Sequence, residues 1–327
     1  MASPQGLSRL TNAMHHIQDF NSIQLDHCYL TIGSFDGVHR GHQEIIKGLV
    51  SDAKADGVPS VALTFFPHPS AVLLERKPIF YLTSPDEKAD LLGAMGVDHV
   101  ITQRFDLTLA RVSANSFLDT LQDRLGFRRL WVGEDFAFGF QREGDQRFLK
   151  QASEERGFEL IVVPPVFVDN EVVSSTRIRN ALRVGEVALA AEFLGRFFSI
   201  TGVVVTGSDR GKRLGFPTAN LRIEEGRAYP SPGVYVCLAE VAGRRWNAVT
   251  NIGVRPTFEE SQEIVTVETH LLDFQGDLYN QEIRLAFIER LRDEKRFSNS
   301  AALISQINHD IDQARHILDT TVERENV

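Results

Sequence analysis

Residues 30–42 read Leu30-Thr31-Ile32-Gly33-Ser34-Phe35-Asp36-Gly37-Val38-His39-Arg40-Gly41-His42. An apolar run ends in a glycine-rich turn, and two histidines follow three positions apart where a helix is predicted to begin. The N–H groups of a first helical turn lack intrahelical partners and attract phosphate. The three glycines have no side chain, so a phosphate can approach the backbone closely. His39 and His42 share one helix face, so both imidazoles can meet one anion. The stretch therefore predicts a strand, a turn and a helix that bind phosphate.

The histidine pair has two interpretations. Two imidazoles can stabilise the negative charge that moves from the α-phosphate of a nucleotide to a leaving pyrophosphate. The pair can also be incidental or belong to a metal site, which needs a third ligand. The helix predicted at 43–53 offers Glu44 and Asp52 for that purpose. The glycines and the preceding strand favour nucleotidyl transfer over a zinc site.

The composition bounds the class of protein. The chain has 327 residues, of which 43% are hydrophobic and 24% charged, and this length favours two domains. A formal charge of −9 argues against a general nucleic-acid binder. Cys28 and Cys237 are far apart in sequence, which fits a reducing cytoplasm. We see no secretory signal and no apolar run as long as a membrane span. We expect a cytoplasmic protein with neither nucleic-acid nor membrane partners, and its oligomeric state stays open.

The first half of the chain alternates apolar runs with amphipathic runs, which predicts a parallel sheet with helices on both faces. The predicted strands are 29–32, 61–65, 97–102, 130–132 and 160–163, and the predicted helices are 43–53, 85–95, 114–125 and 146–156. Ligands of such folds bind at the carboxyl ends of strands. The glycine turn, the loop 66–69 and the loop 133–136 each follow a strand directly. We expect these loops to converge at one edge of the sheet.

The pattern changes after residue 172. Ser174-Ser175-Thr176 is predicted to cap a helix that carries Arg177 and Arg179 and continues to residue 194. Strand-like runs separated by Gly, Pro and Asp then predict a small antiparallel barrel, with strands at 198–206, 233–241, 245–250, 266–272 and 283–291. Apolar spacings of three and four over 300–322 predict an amphipathic helix packed against the barrel. We divide the chain into domains 1–186 and 187–327.

Two further groups of residues carry chemistry. Hydroxyls and an arginine at a helix N-terminus can hold phosphate oxygens, and the alternative is a plain capped helix with surface arginines. The basic glycine loop at 207–220 places Thr218 and Asn220 on one side of an extended segment, where neutral oxygens can ligate Mg²⁺. A solvated hairpin loop fits that spacing equally well. Glu268 lies on a predicted strand and can serve as a general base, although an exposed strand glutamate is the commoner case.

Seven elements stand in a recognisable order along the chain. They are GSFDGVHRGH at 33–42, TFFPHP at 64–69, GEDFAFG at 133–139, SSTRIR at 174–179, LGFPTAN at 214–220, NIGVRPTF at 251–258, and Glu268 with His270, Asp273, Phe274, Leu278 and Tyr279. In this order they resemble the bifunctional bacterial riboflavin kinase / FAD synthetase family over nearly the whole chain. GFPTAN and NIGxRPTF are specific to that family, whereas other nucleotidyltransferases and class I aminoacyl-tRNA synthetases share the histidine motif.

The resemblance implies an N-terminal Rossmann-like nucleotidyltransferase domain and a C-terminal antiparallel β-barrel riboflavin kinase domain with a C-terminal helix. The barrel domain would transfer the γ-phosphate of ATP to the ribityl 5′-hydroxyl of riboflavin, giving FMN. The first domain would transfer AMP from a second ATP to FMN, giving FAD and pyrophosphate. We expect ATP, riboflavin and FMN as small-molecule substrates and Mg²⁺ as cofactor. The alternatives are a nucleotidyltransferase for another phosphorylated acceptor with a binding-only barrel, and a non-catalytic flavin-binding protein.

The resemblance also implies which residues act. The catalytic residues would be His39, His42, Arg179 and Glu268, with Glu268 as the base. The nucleotide and phosphate ligands would be Gly33, Ser34, Phe35, Asp36, Gly37, Gly41, Asp135, Ser175, Thr176, Gly207, Arg210 and Gly211. The flavin ligands would be His68 and Pro69, and the Mg²⁺ ligands would be Thr218 and Asn220.

Overall fold

The structure, a computed structural model, describes residues 14–73, 80–207, 211, 214–256 and 263–325. Contacts between residues divide the chain into two units. The first consists of Met1–Ile79 and Thr83–Val172, and the second of Phe80–Leu82 and Val173–Val327. The domain boundary that the sequence predicts at residue 186 stays a prediction. Among the described residues, no helix is long and apolar enough to cross a membrane.

A parallel sheet forms the centre of the first unit, with strands in the order β1-β4-β3-β2-β5-β6. The strands are β1 (His15–Ile17), β2 (Cys28–Ile32), β3 (Ser60–Phe66), β4 (His99–Arg104), β5 (Phe127–Gly133) and β6 (Glu159–Val163), followed by the hairpin β7 (Phe167–Val168) and β8 (Glu171–Val172). All five residues of β2 are buried, as expected of a central strand with helices on both faces. The predicted parallel sheet is confirmed. Strand β1 was not predicted, because a strand of three residues is too short to show a hydrophobic periodicity.

Helices cover both faces of this sheet. They are α1 (Arg40–Asp56), α2 (Pro69–Leu73), α3 (Pro85–Ala94), α4 (Ala114–Leu125) and α5 (Gln146–Arg156). Alternate strand residues face opposite apolar clusters, so that Leu30 packs in the cluster with α4 and α5 while Tyr29 packs in the cluster with α1 and α3. Helix α1 lies close to β5 at Gly48, where an added Cβ would be 2.2 Å from the ring of Trp131.

The second unit begins with two helices, α6 (Ser175–Val184) and α7 (Val187–Leu194). The single helix predicted to run to residue 194 is wrong. Gly185 ends α6 in the left-handed conformation at φ 82°, and its N–H bonds to the carbonyls of Ala181 and Leu182. The apolar pattern continues across this break, so the periodicity contains no sign of it.

Six antiparallel strands then form a closed barrel in the order β10-β13-β12-β11-β14-β9. They are β9 (Phe198–Val205), β10 (Ala219–Ile223), β11 (Gly233–Val241), β12 (Arg244–Pro256), β13 (Glu263–Leu271) and β14 (Glu282–Arg292), and helix α8 (Ser300–Glu325) follows. The predicted barrel and final helix are confirmed. Strand β12 is longer than the predicted 245–250, because Asn251 and Gly253 interrupt the apolar run without ending the strand.

Alternation along the barrel strands decides which side chains face outward. Ala219, Thr250 and Thr269 are buried, and the hydroxyl of Thr250 donates to that of Thr269 at 3.0 Å inside the barrel. Their neighbours Asn220 and Glu268 therefore lie on the outer surface of the same strands.

Candidate active sites

The carboxyl ends of three neighbouring strands meet at one edge of the first unit's sheet. Strands β3, β2 and β5 are adjacent, and the loops that carry His68, Gly33 and Asp135 follow them. Strand β3 lies on one side of β2, and β5, which comes later in the chain, lies on the other side. The strand order therefore reverses at β2, and open α/β sheets bind ligands at such a switch point. The predicted convergence of the three loops is confirmed by this strand order.

The turn between β2 and α1 has an unusual backbone. Phe35, Gly37 and Val38 all have positive φ, at 45°, 82° and 41°. The ring of Phe35 folds over Gly33, where an added Cβ would lie 2.9 Å from it, and the N–H of Val38 closes the turn on the carbonyl of Phe35 at 3.0 Å. Left-handed conformations at residues other than glycine store strain, and they concentrate at ligand-binding sites.

The two histidines lie together, as their spacing predicts. Their ring centroids are 3.6 Å apart and the planes differ by 16°. His39 is the N-cap of α1, and its Nδ1 accepts a hydrogen bond from the N–H of His42 at 3.4 Å. The ring of Phe35 meets His42 edge-on at 5.3 Å. The first turn of α1 therefore presents an aligned imidazole pair beside its backbone N–H groups, an arrangement suited to an anion.

Two buried charges hold this turn from inside the unit. The ammonium of Lys88, on α3, donates to the carbonyl of Ser34 at 2.7 Å and to the hydroxyl of Thr64 at 3.0 Å. Burial lowers the pKa of Lys88 to about 8, and the nearby Asp36 charge opposes that shift. The carboxylate of Asp36 accepts from the N–H of Thr83 at 3.2 Å. Lys88 is not predictable as a site residue from the sequence, because a lysine within an amphipathic helix normally faces solvent.

Two other predicted ligands lie in the neighbouring loops. The Nδ1 atom of His68 is 2.8 Å from the hydroxyl of Ser70 and accepts from its N–H at 3.2 Å. Pro69 begins α2, and His68 and Pro69 are both partly exposed. Asp135 is exposed on the loop after β5, and its carbonyl accepts from Arg142 at 3.2 Å. These side chains are accessible to a ligand at the edge of the sheet.

The hydroxyl motif begins a helix of the second unit. Ser174 is the N-cap of α6 and accepts from the N–H of Arg177 at 3.3 Å. Ser175 and Thr176 are therefore the first residues of the helix, where N–H groups lack intrahelical partners. The guanidinium of Arg179 donates to the carbonyl of Phe80 at 2.8 Å.

Glu268 is the centre of a polar row on the outside of the barrel. In the antiparallel register it stands opposite Asn220 on one side and opposite Asn251 on the other. The amide of Asn251 also lies 3.5 Å from a carboxylate oxygen of Glu294. The sequence singled out Asn251 as part of NIGVRPTF without giving it a role.

Glycines let the preceding loop approach this row. A Cβ at Gly207 would lie 2.0 Å from Nδ2 of Asn220, and one at Gly211 would lie 2.4 Å from the carbonyl of Phe216 and 3.0 Å from the hydroxyl of Thr218. Backbone and side chain therefore meet at distances that leave no room for a larger residue. Arg210, also predicted to bind phosphate, lies outside the described residues.

A cavity of about 590 Å³ opens beside this row. Its polar side includes Thr218, Asn251 and Glu268. Its apolar side includes Leu214, Phe216, Val249, Phe297, Leu303, Ile307 and Ile311. This volume and this mixture of apolar walls with a few polar groups are typical of sites for ligands the size of a cofactor.

A buried ion pair fixes the wall that α8 contributes to the cavity. Asp310 is 2% exposed and accepts from Nε and Nη2 of Arg292, at the end of β14, at 3.0 and 2.7 Å. Gln306 donates to the same carboxylate at 2.8 Å. The fork of hydrogen bonds sets the position of α8 against the barrel.

Two family models match this chain, one in each half. Residues 21–177 match the model described as FAD synthetase, and residues 194–318 match the model described as riboflavin kinase. A bifunctional riboflavin kinase/FMN adenylyltransferase from Pseudomonas fluorescens is 39% identical over 95% of this chain and 100% of its own length. The protein of the same name from Escherichia coli K12 is 37% identical over 93% of this chain and 97% of its own.

A solved structure of another protein resembles the chain along most of its length. It is a crystal structure described as a macrolide-efflux protein from Streptococcus pneumoniae, with a TM-score of 0.85 and 29% identity. The match covers 93% of this chain and 99% of that one.

Proposed function

The chain belongs to the family of bifunctional riboflavin kinases/FMN adenylyltransferases, and we propose that the two sites described above carry its two reactions. The protein phosphorylates riboflavin to FMN and adenylylates FMN to FAD. The observation that carries the assignment of sites is that the proposed reacting side chains of each reaction lie within one unit. The first unit has an imidazole pair at a helix N-terminus, and the second has a carboxylate beside a cavity of flavin size.

The histidine site supports adenylyl transfer. A phosphate oxygen of FMN attacks the α-phosphorus of ATP, the bond to the β-phosphate breaks, and pyrophosphate leaves. His39 and His42 stabilise the charge that shifts onto the non-bridging oxygens and the pyrophosphate. The backbone of the turn, from Gly33 through Gly37 to Gly41, binds the phosphates.

The remaining predicted ligands of this reaction fall into two groups: buried residues of the turn, and residues that contact the substrates. Phe35 and Asp36, each 2% exposed, hold the turn through their buried side chains, and Ser34 holds it through its carbonyl. In our proposal Asp135 contacts the nucleotide, and His68 with Pro69 contacts the flavin phosphate. The family resemblance alone supports a role for Ser175, Thr176 and Arg179, on α6, in binding ATP phosphates.

The barrel site supports phosphorylation of riboflavin. The apolar walls of the cavity accept the isoalloxazine ring, and the ribityl chain reaches Glu268. Glu268 takes the proton of the 5′-hydroxyl as the oxygen attacks the γ-phosphorus of ATP and ADP leaves. Gly207, Arg210 and Gly211 bind the phosphates of this ATP.

The donor set beside Glu268 fits Mg²⁺. Thr218 and Asn220 offer neutral oxygens, and Mg²⁺ bound to nucleotides takes few protein ligands, with phosphates and water completing its shell. When bound, Mg²⁺ supplies positive charge that neutralises the phosphates of ATP.

We also propose a cytoplasmic location with small molecules as the partners. Cys28 and Cys237 are both free and buried, and burial raises the pKa of each thiol to about 12. Free cysteines suit a reducing compartment. Expression in the native host followed by fractionation tests the location, and recovery in a secreted or membrane fraction would contradict it.

Incubation of the purified chain with riboflavin, ATP and Mg²⁺, followed by chromatography of the flavins, tests the function. We expect riboflavin to convert to FMN and then to FAD, with no conversion when ATP is omitted or when EDTA removes Mg²⁺. A nucleotidyltransferase with a binding-only barrel would form no FMN from riboflavin. A non-catalytic flavin-binding protein would leave all the riboflavin unchanged.

A further inference from the structure

We infer that Lys88 is a positioning residue for adenylyl transfer, which fixes the Ser34–Phe35 peptide and places a buried positive charge next to the nucleotide-binding turn. This inference rests on the proposed adenylyltransferase site of the first unit. It adds a residue that no motif of the sequence contains.

The contacts of Lys88 determine the direction of one peptide group. Lys88 is 5% exposed, and its ammonium donates to the carbonyl of Ser34 at 2.7 Å. In a trans peptide the carbonyl and the next N–H point in opposite directions. The N–H of Phe35 is therefore directed away from the buried ammonium. Oriented N–H groups in such turns form concave sites that bind anions.

Hydrogen bonding by itself does not account for a charged side chain here. The hydroxyl of Thr64 also donates to the carbonyl of Ser34, at 3.0 Å. The carbonyl would thus keep a partner without Lys88. Burying an ammonium is unfavourable, and such costs at a ligand site point to a functional role for the charge. A triphosphate above the turn would gain from a positive charge beneath it.

One charged group acts on Lys88 among the described residues around it, the buried carboxylate of Asp36 in the turn itself. Strand β3 contributes the uncharged Thr64. Because the pKa of Lys88 is about 8, its ammonium is mostly protonated at neutral pH and loses its proton just above that range. The adenylyl transfer of the free enzyme should weaken over the same range.

Lys88→Met in the full chain tests this inference, because methionine is of similar length and carries no charge. We expect kcat/KM for FAD formation from FMN and ATP to fall roughly 10- to 100-fold, the scale expected when reacting groups are misplaced slightly. FMN formation from riboflavin by the same preparation should not change. The thermal unfolding midpoint should not fall, because a buried charge has been removed.

Thr64→Val is the matched control. It removes the hydroxyl that donates to Ser34 and accepts from Lys88, and it leaves the charge and its hydrogen bond to Ser34 in place, so FAD formation should stay near that of the unsubstituted chain. The pH profile of the unsubstituted chain gives an independent readout: kcat/KM for ATP in FAD formation should decline above pH 8, and this decline should be absent in Lys88→Met.

Several results would overturn the inference. Full FAD formation by Lys88→Met would do so, as would a loss of FAD formation in Thr64→Val equal to that in Lys88→Met. A loss of both activities in Lys88→Met together with a lower unfolding midpoint would show a structural role instead. A pH profile of the unsubstituted chain without the decline above pH 8 would also contradict it. His42→Ala, assayed in parallel, separates the two proposals. If His42→Ala keeps FAD formation, the proposed site fails and the inference fails with it. If His42→Ala loses it while Lys88→Met does not, the inference about Lys88 fails and the site stands.

Discussion

Asn220 of β10 and Glu268 of β13 stand directly opposite each other in the antiparallel register of the barrel. Side chains at such opposed positions start about 5 Å apart at Cβ and share one face of the sheet. Asn251 takes the same position on the other side of Glu268. The carboxylate proposed as base is thus held between two amides on rigid strands, which suits a group that must meet a substrate hydroxyl in a fixed geometry.

We predict that Glu268→Gln lowers FMN formation about 100- to 10,000-fold, the range expected for loss of a general base. The amide keeps the size of the side chain and accepts no proton. FAD formation from supplied FMN should continue, and flavin chromatography measures both products. Glu282→Gln is the matched control, because Glu282 is an exposed glutamate on strand β14. Full FMN formation in Glu268→Gln would show that another group accepts the proton.

We predict that Gly207→Ala impairs FMN formation selectively. The added methyl would lie 2.0 Å from the amide of Asn220, so the amide or the loop must move. Since Asn220 is proposed to bind Mg²⁺, we expect the Mg²⁺ concentration needed for half-maximal FMN formation to rise, while FAD formation from FMN is unchanged. An unaltered Mg²⁺ dependence would remove Asn220 from the proposed ligand set.

We predict that Asp310→Asn destabilises the barrel unit by about 3 kcal/mol, because loss of one partner leaves the other charge of a buried pair uncompensated. Asp310 and Arg292 have side chains 3% and 14% exposed. Asp273→Asn is the control, since the forked pair of Asp273 with Arg315 has side chains 70% and 45% exposed. Exposed pairs contribute little to stability.

Urea unfolding followed through Trp246 measures this effect in a Trp131→Phe background, because the chain has two tryptophans and Trp246 is the one in the barrel. The KM for riboflavin should rise in Asp310→Asn, since the pair fixes the wall of the cavity. Equal stability of Asp310→Asn and Asp273→Asn would contradict the structural role given to the buried pair.

We predict a pH-dependent stability of the first unit that arises from Lys88. Its pKa is about 8 in the folded chain, against an ordinary value of 10.5. The unfolded chain therefore binds more protons between these values, and stability rises with pH across that window by roughly 3 kcal/mol at most. Below pH 8 both states are protonated, and the cost of burying the charge is constant.

The contribution of Lys88 is the difference between the unsubstituted chain and Lys88→Met, which cancels the titration of other groups. Unfolding can be followed through Trp131, on strand β5, in a Trp246→Phe background. The unsubstituted chain should gain stability relative to Lys88→Met between pH 8 and 10. Parallel curves for the two chains would show that the ammonium is not buried as the structure has it.

Much of the fold was predictable because local signals coincide with the ends of elements. Helix α4 occupies the predicted residues 114–125, since Ser113 caps its start and Gly126 ends it in the left-handed conformation. The same holds for α5, between Asp145 and Gly157. The break at Gly185 was not predictable from periodicity, because apolar residues continue at helical spacing on both sides of it.

Site residues that belong to a local sequence motif could be predicted. Site residues whose role depends on tertiary contacts could not. The histidine pair and Glu268 belong to such motifs. Lys88 is an ordinary helix residue in the sequence, and its role follows from the approach of α3 to the turn after β2. The pairing of Arg292 with Asp310 joins a strand to a later helix, and no sequence spacing specifies it.

In our proposal, one chain makes FMN and then FAD at two separate sites. Product analysis of His42→Ala and Glu268→Ala, each supplied with riboflavin, ATP and Mg²⁺ and separately with FMN, ATP and Mg²⁺, tests it most directly. We predict that His42→Ala accumulates FMN and makes no FAD from either substrate. Glu268→Ala should leave riboflavin unconverted and still make FAD from FMN. Equal loss of both activities in either variant, with the chain still folded, would show that the two reactions do not use separate sites.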